Sequence, residues 1–233
     1  MKLKTLLICF GFFWSINSFA QFSVGAKAGI NFNSFVGDRV YDAIPGFNVG
    51  AFVKRPFFSF LTARTELLYF QQGGNLYDYT VLPPELQHNN AKLIFHNIQV
   101  PLLAEFGLPA LNDEPLQPKL LLGAFYSYSV AIRDRYTNYV KVGGYDPVEY
   151  KGNSDVSSDF YRNQFGLIGG IAAEMKIYSY PVALEFRYHY NLKPVNRPDS
   201  SGKYYLKNTT EMWGDNLKVA TLSINASVTL KYF

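Results

Sequence analysis

The eighteen residues Asn216–Phe233 (NLKVATLSINASVTLKYF) alternate apolar and polar side chains almost without a break and end on an aromatic. Ala220, Leu222, Ile224, Ala226, Val228, Leu230 and Tyr232 fall on one face, and Val219, Thr221, Ser223, Asn225, Ser227, Thr229 and Lys231 on the other. Side chains of a strand point alternately to its two faces, so this segment predicts one long strand with one apolar side. Strands in soluble domains run about 5–6 residues. A strand this long, closing on an aromatic, fits a membrane β-barrel, where lipid-facing and lumen-facing residues alternate and aromatic rings sit at the interface.

The N-terminus predicts export. Lys2 and Lys4 precede an apolar core, Leu6–Ile16, and Ser18-Phe19-Ala20 supplies small residues at the positions read by signal peptidase. Residues 1–20 are therefore expected as a cleaved signal peptide and residues 21–233 as one barrel domain. The only cysteine, Cys9, falls in the removed segment, so the mature chain is expected to lack disulfides, Cys-metal sites and Cys nucleophiles. No later segment offers the roughly 20 consecutive apolar residues of a membrane helix. Yet aromatics make up 17% of the chain, dominated by 18 Tyr and 20 Phe, a content suited to interfacial girdles. Removal of Lys2 and Lys4 leaves a net charge of about +2, which points to neither nucleic acid nor an acidic partner.

Period-two alternation predicts eight strands: Phe22–Phe32, Gly46–Lys54, Phe60–Gln72, Leu93–Leu108, Lys119–Arg133, Phe160–Ile177, Tyr180–Leu192 and Asn216–Phe233. Short connections near Arg55–Ser59, Pro109–Pro118 and Tyr178–Tyr180 alternate with long polar ones at Asn33–Pro45, Gly73–Lys92, Asp134–Asp159 and Lys193–Asp215. An even-stranded antiparallel barrel of the outer membrane with periplasmic termini has that asymmetry, short turns inside and long loops outside. Lys27, Lys54, Arg64, Glu66, Glu105, Glu174, Lys176, Glu185 and Arg187 fall opposite the apolar faces. A lipid-facing Arg or Lys near the midplane costs about 2–4 kcal/mol, so these charges are expected in the lumen. Eight strands leave an interior that side chains fill, which predicts charges paired across a plugged core; a polar conduit is the alternative.

Five strings carry a family resemblance: GAKAGINFNSF (Gly25–Phe35), TELLYFQQGG (Thr65–Gly74), HNIQVPLLAEFG (His96–Gly107), QFGLIGGIAAEM (Gln164–Met175) and ALEFRYHYNL (Ala183–Leu192). In this order, and spanning essentially the whole mature chain, they resemble the PorT-like, porin-family outer-membrane barrels of Bacteroidota. The resemblance implies an outer-membrane barrel with no catalytic residues to carry over. One member of that family serves type IX protein secretion.

Candidate chemistry is sparse. His189 shares a face with Glu185 and Arg187; a rim hydrolase or acyltransferase would need such a His beside a Ser and a carboxylate, whereas the plainer reading is a bonded lumen histidine. His96 falls at the outer end of an apolar face, and His88 in a loop. No HExxH or GxSxG is present. Gly73-Gly74 and Gly143-Gly144 lack the context of a phosphate loop and read as turns. Asp146, Glu149, Asp155 and Asp159 lack any calcium-loop spacing and read as solvated acids. No cofactor or metal is expected.

The long loops are the stronger candidates, since loops on a rigid scaffold carry binding. Tyr136, Tyr139, Tyr145, Tyr150, Tyr204, Tyr205, Met212 and Trp213 punctuate otherwise polar stretches. They read either as interface anchors or as groups that cover one another and extend the outer girdle. The expectation is a non-enzymatic structural or interaction barrel touching outer-membrane lipid and envelope or secretion-machinery proteins. The alternatives are a narrow small-solute pore and a rim enzyme acting on lipid or peptide.

Overall fold

A computed structural model describes residues 22–36, 42–78, 86–108, 115–140, 148–197 and 217–232. Nine antiparallel strands account for most of them: β1 (Ser23–Val36), β2 (Ile44–Phe58), β3 (Leu61–Asp78), β4 (Leu86–Gly107), β5 (Leu116–Val140), β6 (Val148–Asp155), β7 (Asn163–Ile177), β8 (Tyr180–Asn191) and β9 (Lys218–Tyr232). Eight of them close in the order β4-β3-β2-β1-β9-β8-β7-β5, with β5 pairing back onto β4. The strand nearest the N-terminus is thus zipped to the C-terminal one, from Ser23 opposite Tyr232 to Val36 opposite Lys218. The ninth, β6, lies outside the barrel on the extension of β5, from Arg133↔Asp155 to Val140↔Val148.

Alternation is plain in adjacent leucines: Leu102 is 65% exposed and Leu103 2%. Leu67, Val100, Leu122, Leu167, Ile171, Phe186 and Leu222 project outward from the barrel wall. Pro101, which has no N–H to give the ladder, leaves a gap in the β3–β4 pairing between Thr65↔Leu102 and Leu68↔Gln99 without changing its register, and the Thr65 hydroxyl donates to the Pro101 carbonyl. One end carries tight turns at Ser59–Phe60 and Tyr178–Ser179. Tyr178 takes a positive φ of 56°, as the primed turns of two-residue hairpins require. The opposite end carries the long hairpins.

Several expected boundaries move. The connections placed at Gly73–Lys92 and Asp134–Asp159 are largely strand: β3 and β4 pair out to Asp78↔Asn89, and β5 with β6 forms a projecting ribbon. Asn, Asp and Gly suggested loop, but the Tyr, Thr and Val interleaved through Arg135–Val140 favour a pleated surface. Conversely, the strand expected to begin at Phe160 starts at Asn163, and Phe160 turns into the barrel mouth. The first twenty residues lie outside the described structure.

The barrel wall is packed closely enough that several glycines, Gly166 among them, have no room for a side chain. A Cβ on Gly166 would collide with the Phe125 ring and with the Tyr190 carbonyl. Gly166→Val is therefore expected to destabilise the barrel by about 1–3 kcal/mol, read as a lower urea midpoint in lipid vesicles. Gly169→Ala, whose Cβ would meet open space, serves as the control.

Candidate functional site in the filled lumen

The lumen is stacked in layers. At the turn end, Lys54 sits 3.3 Å from both Glu105 and Glu174, and Lys119 is 2.8 Å from Glu174. Above lies a fully buried cluster. Arg187 donates twice to Glu66, at 2.8 and 2.9 Å, and its Nη2 is 2.7 Å from Glu185. Arg64 contacts Glu66 and Glu185 at 2.6 Å each and Glu105 at 3.1 Å. Lys27 completes it, 3.2 Å from Glu185 and 3.4 Å from Glu66. Arg64 also stacks over Phe52, 4.1 Å from the ring centre. These charges come from β1, β3, β4 and β8, so the cluster ties opposite walls together.

Of the charges expected inside, Lys27, Lys54, Arg64, Glu66, Glu105, Glu174, Glu185 and Arg187 are brought together. Lys176 is not. It has the same strand phase as Glu174 but lies at the end of β7, exposed, beyond the walls that would enclose it. Lys119, one position before the outward Leu120, was not among the expected lumen charges, although the same alternation points to it.

The next layer centres on His189, which packs at a tilt against Phe70 (4.9 Å between centroids) and Phe125 (5.8 Å). Its Nε2 lies 3.3 Å from the Ser223 hydroxyl, while its Nδ1 has no partner. A triad needs a carboxylate on that nitrogen, and none is supplied here. Ser223 and His189 are both buried. His96 instead faces outward from β4 and meets the Tyr69 hydroxyl.

Above His189 runs a chain of side-chain hydrogen bonds. Asn191 donates to Gln164, Gln164 to Ser129, Ser129 to Asn97, Asn97 to Gln72, Gln72 to Thr221 and Thr221 to Asn33. Asn33 then donates to the Ile44 carbonyl. The chain touches every barrel strand in turn. Below it, Asn48 donates to Asn31 and Asn225, both at 2.8 Å.

An apolar cap closes the loop end. Phe35, Leu93, Phe95, Ile132, Phe160, Val195, Leu217 and Val219 form one buried cluster with Val156 against it. Phe160 meets Phe95 edge-on at 5.4 Å. Segments 156–161 and 195–196 are laced across the mouth: Val156 N–H donates to the Ile132 carbonyl, Tyr161 N–H to Val195 and Val195 N–H to Leu217. The signal for this cap was legible but unread, since Leu93 and Phe95 share the phase of lumen-facing Asn97 and Gln99.

Of the loop aromatics, Tyr136, Tyr139 and Tyr150 stand on the β5–β6 ribbon, at the pairs Tyr136↔Gly152, Tyr139↔Glu149 and Asn138↔Tyr150. Tyr145, Tyr204, Tyr205, Met212 and Trp213 lie outside the described residues. Asp155 caps the turn after β6 by accepting from the Ser157 N–H. That turn, and then Arg133 and Arg162, hold its carboxyl below the ordinary range. Among the described residues, no three His, Cys, Asp or Glu side chains converge as metal ligands would.

A closed eight-stranded sheet with an apolar exterior, an aromatic rim and a lumen filled by ion pairs and amides defines an integral membrane β-barrel of the outer-membrane type. The chain belongs to the outer membrane protein beta-barrel domain family, which residues 18–197 match, and its place is the outer membrane. No curated protein matches the sequence. Among solved structures it is similar to Ail, the attachment invasion locus protein of Yersinia pestis, at 12% identity over 91% of this chain and 100% of that one, with a TM-score of 0.41. It is also similar to a major outer membrane protein of Thermus thermophilus (13% identity, 90% and 99% covered, TM-score 0.48) and to Neisserial surface protein A (15%, 89% and 97%, 0.42).

Two outcomes follow. Arg187→Met removes one of the three cations shared by Glu66 and Glu185 and leaves the buried cluster with excess negative charge, which is expected to cost about 3–5 kcal/mol, measured by urea unfolding in vesicles. The double variant Arg187→Met with Glu66→Gln recovers part of that loss. The second concerns Asp134, on the extension of β5 beyond the membrane span. Burial pushes its carboxyl up to about 6, so the folded state holds a proton that the unfolded chain releases near pH 4. Its contribution is present at low pH and lost as pH rises through about 6. Asp134→Asn is expected to raise the thermal midpoint at pH 7.5 and to leave it nearly unchanged at pH 4.

Proposed function

We propose that this protein is a non-enzymatic, sealed barrel that acts through its surfaces, as a structural or interaction element of the outer membrane. The turns face the periplasm and the long hairpins face outward. Residues 1–20 direct export and are removed, leaving Gln21 as the mature start. The observation that carries the reading is the closed stack in the lumen, in which an ion cluster, an unbroken belt of amides and hydroxyls and an apolar cap follow one another. A pore needs a continuous wet path, and a polar conduit would have to pass the Arg187–Glu66 pair and the Phe35–Phe95–Phe160 cap. A rim enzyme would need His189 accessible and oriented by a carboxylate. Instead it is buried against two phenylalanines with one nitrogen unpartnered.

The resemblance of five strings, in order, to PorT-like barrels favours an accessory role in envelope assembly or protein secretion. Envelope or secretion-machinery proteins are the partners, and the β5–β6 ribbon, which holds Tyr136, Tyr139 and Tyr150, is the element best placed to meet them. Planar-bilayer recording of the purified barrel tests the sealed lumen: no ohmic conductance is expected, and a steady open channel would overturn the reading. Crosslinking in intact cells, with a tag inserted between residues 140 and 148, tests the interaction role. A stoichiometric envelope protein is expected, and a barrel recovered alone would remove that role.

A further inference from the structure

On the outer wall, a group of cations stands at the loop end of β4 and β5. Lys92 is directly paired with Arg135, and Ile94 with Arg133. Lys92 and Arg135 are exposed and Arg133 is half-buried. Like charges placed directly opposite on one face of a sheet repel, so Lys92 and Arg135 oppose each other unless an anion lies between them. Among the described residues the acid facing the group is Asp155, opposite Arg133 on β6, and Arg162 adds its positive charge to the field at that carboxyl. The group therefore keeps a net positive charge on an outward face.

Its height says what that anion is. Tyr69 reaches His96, which pairs with Ala131, and outward Tyr126 and Tyr128 lie just below. These rings mark the headgroup level of the bilayer. Arg133 is two residues beyond Ala131, about 6–7 Å along the strand. An arginine side chain from there spans the layer where lipid phosphates lie, and its fork fits phosphate oxygens in a bidentate way.

We propose that Lys92, Arg133 and Arg135 form a binding site on the outside of the barrel for a phosphorylated lipid headgroup of the outer leaflet. The assignment goes beyond the sealed-barrel reading and rests only on its orientation, loop end outward. The anion relieves the Lys92–Arg135 repulsion, and the lipid chains lie along the apolar wall of β4 and β5 beneath, past Ile98, Val100 and Leu102.

The test uses the full barrel in nanodiscs of phosphatidylcholine doped with bis-phosphorylated lipid A, followed by detergent extraction and native mass spectrometry of retained lipid. Wild type is expected to retain lipid A, and Arg133→Gln with Arg135→Gln to retain about tenfold less. Lys193→Gln with Lys218→Gln, which removes the same charge from another part of the loop end, is expected to behave as wild type. Heat-modifiable migration on gels reports folding of each variant, and the bilayer recording stands independent of the outcome. Equal loss in both double variants would overturn the site by making the effect one of general charge. So would unchanged retention in the Arg133/Arg135 variant, or equal retention of dephosphorylated lipid A. Saturable binding of inorganic phosphate that displaces lipid A at millimolar concentration would assign the cations to a soluble anion instead.

Discussion

A bilayer offers no water to a backbone N–H or C=O, so a sheet that crosses it must leave no edge. Everything else in this structure depends on the two seams that meet that condition, β1 against β9 and β4 against β5. Once the sheet is closed by eight strands, alternate side chains are committed to lipid or to a narrow interior. Lys27, Arg64, Glu66, Glu185 and Arg187 must then satisfy one another without solvent. A buried ion pair is a poor source of stability when both partners are desolvated. Its effect here is on register. Slipping β3 or β8 by one residue would carry Arg64, Glu66 or Arg187 to the lipid face, and no compensating contact waits there.

The amide belt acts on the same principle at a second height. Each link from Asn191 to Asn33 joins neighbouring or facing strands, and the last reaches the backbone of β2. Removal of an interior member such as Ser129 or Asn97 leaves its neighbours on both sides with unmet polar atoms in a dry place, so the links depend on one another. The apolar cap then shields it from the aqueous side. A barrel built in this way has little left to do in its interior. Its capacity for interaction lies on the wall and at the loop end.

How far the sequence reveals this depends on which force decides each element. Where membrane burial decides, as in β9 or around Leu102–Leu103, alternation shows the strand and its faces directly. The ion cluster was legible for the same reason, since a charge in phase with Asn and Ser has nowhere else to go. Strand ends were not legible, because above the headgroups both faces meet water and alternation loses its driving force. Hence the β3–β4 extension and β6 read as loop, and only backbone pairing settles where Tyr136, Tyr139 and Tyr150 stand. Lys176 shows the converse: its phase points inward, but the barrel wall stops short of it. The cap is legible only in part: the phase of Leu93 and Phe95 points them inward, but Phe160 and Val195 come from connections, and only the fold brings them over Phe95.

The outer cations depend on a small irregularity. Along β5, Phe125, Ser127 and Ser129 point inward, and unbroken alternation would carry Arg133 and Arg135 inward after them. The register shifts at His96/Asn97, where Ala131 and Ser129 face consecutive residues of β4 and Val130 is the extra one. A β-bulge reverses the phase of everything beyond it. Ile132 therefore enters the cap, and Arg133 and Arg135 turn outward beside Lys92. Without the bulge two guanidinium groups would be driven among Phe95, Phe160 and Val219, and the apolar lid could not form. One inserted residue thus seals the lumen and places positive charge on the wall at the height of lipid phosphate, so both surface properties of the loop end have a common structural origin.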